Sequence, residues 1–102
     1  MRRQIEGVVM FLFSASAKVK KAQDGYHVGD DVEFIAYIDF KDQLGAVQLC
    51  KFYMANAGFG TVVIDKMKEA NADFIKNSVN STHRGRIEEA QKQGYSIQLF
   101  EK

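Results

Sequence analysis

From Val32 to Phe40 apolar and polar positions alternate. Val32, Phe34, Ala36, Ile38 and Phe40 fall on one side, Glu33, Ile35, Tyr37 and Asp39 on the other. A period of two, with β-branched and aromatic residues, predicts a strand. The first side is wholly apolar and needs a cover of helices; the mixed side suits a sheet with one wet face. From Leu44 the period becomes helical. Ala46, Val47, Cys50, Tyr53, Met54 and Ala57 form one stripe of a helix over residues 43–57, with Asp42 as N-cap and Gly58 as the residue that ends it. Leu49 and Phe52 lie beside the stripe and widen its apolar arc. Either a neighbouring segment covers them or a partner does. Thr61–Ile64 then reads as a strand.

On the N-terminal side, Asp24-Gly25 is a two-residue hairpin signal. Folding there sets Gln23 beside Tyr26 and Val9 opposite Phe40, giving a long hairpin of residues 5–22 against 26–40. Gly29-Asp30-Asp31 marks a bulge. Lys18, Lys20 and Lys21 sit near the tip, where charge discourages edge pairing or grips phosphate. Arg2 and Arg3 before VVMFLF, with Ala15-Ser16-Ala17 after it, outline a secretory signal. The run is short and interrupted by Glu6, and a strand accounts for the same residues. Beyond Ile64, the spacing of Val63, Met67, Ala70 and Phe74 predicts a strand to Asp65 and a helix over 66–77; a second hairpin returning over 73–79 is the alternative. Ser81 or Thr82 is placed to cap a helix over 84–93, whose apolar line is only Ile87 and Ala90. Gly94 ends it, and YSIQLF alternates as a closing strand. The expected fold is a single α+β domain over residues 1–102. It is a two-layer sandwich with a mostly antiparallel sheet, opened by a long hairpin, and helices on one face.

Composition narrows the function classes. Fourteen basic and thirteen acidic side chains leave a net charge of +1, so no global field draws the chain to nucleic acid or anionic lipid. No apolar stretch approaches the roughly 20 residues of a membrane-spanning helix. The single cysteine, Cys50, cannot form an internal disulfide and fits a reducing, cytoplasmic setting.

Three groups carry candidate chemistry. Asp39-Phe40-Lys41 ends the central strand; an acid with a nearby lysine can hold Mg²⁺ and position water, given a second carboxylate. The run Ser81, Thr82, His83, Arg84 and Arg86 stands at a helix start, where N–H groups and forked guanidinium donors attract anions. Leu49 and Phe52 offer an apolar contact for a protein partner or a second copy. His27 and His83 lack companions at metal-ligand spacing, and there is no Walker loop, G-x-G-x-x-G or nucleophile motif, so no metal or cofactor is expected.

Two resemblances bear on these residues. Residues 34–39, the helix over 43–57, Gly58-Phe59 and the strand over 61–64 are similar to the opening of ferredoxin-like domains of the bacterial ribonuclease E inhibitor family. That resemblance implies a non-catalytic protein that binds and regulates a partner. Asp39-x-Lys41, a helix containing Gln48 and a following apolar strand resemble restriction-endonuclease-like nucleases, which implies Asp39 as metal ligand and Lys41 as water-positioning residue. Without a matched pair of catalytic groups, the expected function is a small binding or regulatory module acting through a protein partner or homodimer. A metal-dependent nuclease or other phosphate- or nucleic-acid-binding protein is the alternative.

Overall fold

The computed structural model describes residues 8–23, 25–77 and 83–100. Its elements run β1 Val8–Val19, β2 Asp31–Ile38, α1 Gln43–Asn56, β3 Phe59–Asn71, α2 Ala72–Asn77, α3 Arg84–Gln93 and β4 Tyr95–Phe100. The four strands form one open antiparallel sheet in the order β3-β1-β2-β4. The architecture is thus α+β, as the patterning predicts.

The β1–β2 hairpin sits at the centre. Its register pairs Phe11 with Ile38 and Lys18 with Asp31, and Gln23 bridges Tyr26. This is the register that a two-residue loop at Asp24-Gly25 dictates; Asp24 itself lies outside the described residues. The expected bulge is present. Gly29 takes φ 94° in the turn that Asp30 N–H closes onto His27 C=O. Val19 bonds both residues 29 and 30, accepting from Gly29 N–H and donating to Asp30 C=O.

α1 begins where its cap predicts. Asp42 accepts from Gly45 N–H at 2.7 Å, and Gly58 leaves the helix at φ 96°. Ala46, Cys50 and Met54 are buried against Phe11, Phe13, Ala15 and Ala17 of β1 and Val32, Phe34, Ala36 and Ile38 of β2. A second cluster lies on the opposite face. There Met10, Leu12, Tyr37 and Ala70 meet Ile87 and Ala90 of α3, with Phe74 and Ile75 of α2 beside them. The helices therefore occupy both faces, not one. The physical reason is local: at the end of the sheet nearest α3 the second face carries Met10, Leu12 and Tyr37, too apolar to stay wet.

β3 also departs from expectation. It runs unbroken to Asn71, and only Ala72–Asn77 is helical. The helical spacing of Val63, Met67, Ala70 and Phe74 is overridden because β1, paired with β2 on one side, presents on its other edge a row of N–H and C=O groups that a helix would leave unsatisfied. The long pairing is broken by register shifts, among them one between Ser14 and Ala15 and another between Ser16 and Lys18. At the latter, Thr61 is held at φ 51°.

Candidate functional site: an apolar strip between α1 and β4

A helix is about 10 Å across, whereas four strands span about 15 Å or more. One helix cannot cover the first face. α1 packs against β1 and β2, with Val62 and Ile64 of β3 beside it, and leaves β4 at the margin. The inward side chains of β4, Tyr95, Ile97 and Leu99, therefore touch the core but remain half-buried. Leu49 and Tyr53 border them from α1. Tyr53 stacks on Tyr95 with centroids 3.8 Å apart, and Phe52 meets Tyr53 edge-on at 5.7 Å. Phe52 is 56% exposed. Leu49 is partly covered by the core of its own chain, whereas Phe52 is not. The strip is close to neutral: Lys51 is the single charged residue of α1, and β4 has none.

The outer edge of β4 is treated differently from its face. Arg86 Nη1 donates to Ile97 C=O at 3.1 Å, and Gln93 Nε2 donates to Tyr95 C=O at 2.9 Å. Arg86 also lies 3.6 Å from Glu89, which accepts from the buried Ser96 hydroxyl at 2.6 Å. α3 thus caps two carbonyls of the strand it precedes. The opposite edge, β3, carries Asp65, Lys66, Lys68 and Glu69 and is bulged, which also discourages strand addition.

The expected anion site has a different local chemistry. Ser81 and Thr82 lie outside the described residues. His83 Nδ1 is 2.7 Å from the Tyr37 hydroxyl, Arg84 Nε donates to Glu88 at 3.1 Å, and Arg86 is turned inward onto Ile97. α3 starts with His83 at the cap position, and the His83 side chain makes no capping bond. Tyr37 is fully buried, and burial raises its hydroxyl above the usual phenol range, partly offset by Arg86.

Asp39 and Lys41 lie two residues apart and exposed, just beyond the end of β2. Burial raises the Asp39 carboxyl, and Lys41 offsets this. Asp31 lies a strand away, about 26 Å at the usual rise per residue, and pairs with Lys18. Among the described residues no three of His, Cys, Asp and Glu gather in a way that could hold a metal ion. No described helix is long and apolar enough to cross a membrane. The Cys50 thiol is buried and free, and burial pushes its pKa up to about 11.

No protein-family model, curated protein or solved structure matches the chain. The sequence pattern singled out Leu49 and Phe52 but not Tyr95, Ile97 and Leu99. Their alternation in YSIQLF places them on one face, yet nothing in the sequence says which strands lie beyond the reach of α1.

Proposed function

We propose that this chain is a small non-catalytic binding module that acts by burying the α1–β4 strip against a protein, and that a second copy is the partner the strip suits best. The observation that carries this reading is the exposure of Phe52, which stands edge-on to Tyr53 where that ring stacks on Tyr95, since large aromatic anchors dominate interface energies. A two-fold contact sets like on like, so a self-associating surface must be neutral or internally balanced. This strip meets that condition with one lysine. The buried free thiol at Cys50 is consistent with a reducing, cytoplasmic compartment.

Sedimentation velocity on the wild type and Phe52→Asp tests the reading. The wild type should sediment as a dimer of the 11.5 kDa chain above a concentration threshold. The variant should remain monomeric, a loss of roughly 2 kcal/mol or more of association, and should melt with the wild type at concentrations below that threshold. A wild type that stays monomeric at millimolar concentration excludes self-association.

A further inference from the structure

A groove of ≈ 430 Å³ lies on the second face of the sheet, where α2 and α3 stop covering it. Its size falls in the range of small-ligand sites. The floor is Leu12, Ser14 and Ile35 from the two central strands, and Phe74 and His83 wall the covered end. Lys66 and Lys68 line the β3 side.

The lysines reach the groove because of a bulge. Ala15 pairs with Ile64, yet Ser14 pairs with Lys66, so Asp65 is the extra residue. In a regular ladder Asp65 would oppose Ser14, and Lys66 and Lys68 would share the first face with Ile64. The shift exchanges them: Lys66 and Lys68 stand with Ser14 and Leu12 on the groove side. Bulges often re-aim side chains in this way. Lys68 Nζ is held 4.9 Å from the centroid of Phe74. Among the described residues no acid lines the groove, and neither lysine makes an ion pair.

We propose that this groove binds a small organic anion with an apolar body, of the class of a medium-chain or aromatic carboxylate. The apolar body would lie on Leu12, Ile35 and Phe74. Its charged end would meet the two ammonium groups, with the Ser14 hydroxyl as a further donor. This site lies on the opposite face from the α1–β4 strip and does not depend on it.

The probe is 8-anilinonaphthalene-1-sulfonate, titrated by fluorescence and competed with octanoate or octanol. Saturable binding should be displaced by octanoate at concentrations where octanol has little effect. Lys66→Gln with Lys68→Gln should weaken binding about tenfold or more, with an unchanged melting curve. Ser14→Leu, which fills the floor and leaves the charges, should also abolish it. Phe52→Asp on the other face should bind like the wild type. Absence of saturable binding would overturn the proposal. So would equal binding by the lysine variant, or loss of binding in Phe52→Asp alone.

Discussion

At the scale of single residues, burial decides how Cys50 behaves. Its thiol is fully inaccessible, on the stripe that seats α1. A folded-state pKa of about 11, against 9.0 unperturbed, means the unfolded chain loses this proton first. The contribution to stability is fully present below pH 9 and is lost as the pH rises towards 11. Denaturant midpoints measured at pH 8 and pH 10.5 should therefore fall less in Cys50→Ala than in the wild type. A bulky thiol reagent should label native Cys50 only at the rate of opening. Rapid labelling at pH 8 would show that the stripe is not packed as described.

At the scale of elements, the ends of α1 are where local chemistry and tertiary contacts meet. A Cβ added at Gly58 would stand 2.6 Å from Gln23 Nε2, which itself donates to Ala57 C=O at 2.9 Å. Gly58→Ala should therefore cost about 1–2 kcal/mol for the left-handed backbone alone. The displaced Gln23 bond adds to this, and a thermal melt reads the sum. Asp42→Ala, removing one cap bond, should cost about 1 kcal/mol. A Gly58→Ala variant as stable as wild type would remove Gln23 from any role in holding the hairpin tip to α1. These termini were legible in the sequence because caps and turns are local: Asp42, Gly58, Gly94 and the hairpin register can be read from adjacent residues. β3 was not, because Lys66–Asn71 has helical spacing and takes its conformation from the free edge of β1, 52 to 63 residues earlier. The groove was hidden for the same reason. Lys66 and Ile35 meet only through a sheet register, and the bulge at Asp65 reverses what simple alternation would give.

At the scale of the whole molecule, the two edges and two faces of the sheet have distinct fates. Arg86→Ala should remove the bond to Ile97 C=O and the contact with Glu89, costing about 1.5–3 kcal/mol for a charge-assisted bond. Combined with Gln93→Ala, it should leave β4 with two exposed outward carbonyls and a capacity to pair. Light scattering at rising concentration should then show growth in the double variant and none in the wild type. Equal scattering would mean that these side chains do not guard the edge. The capped edge bears on what kind of assembly the chain can build. Face-to-face contact between like surfaces closes after two copies, whereas strand addition at an open edge can repeat without end. By placing a guanidinium and an amide on two carbonyls of β4, the fold discourages the open-ended kind of growth at that edge.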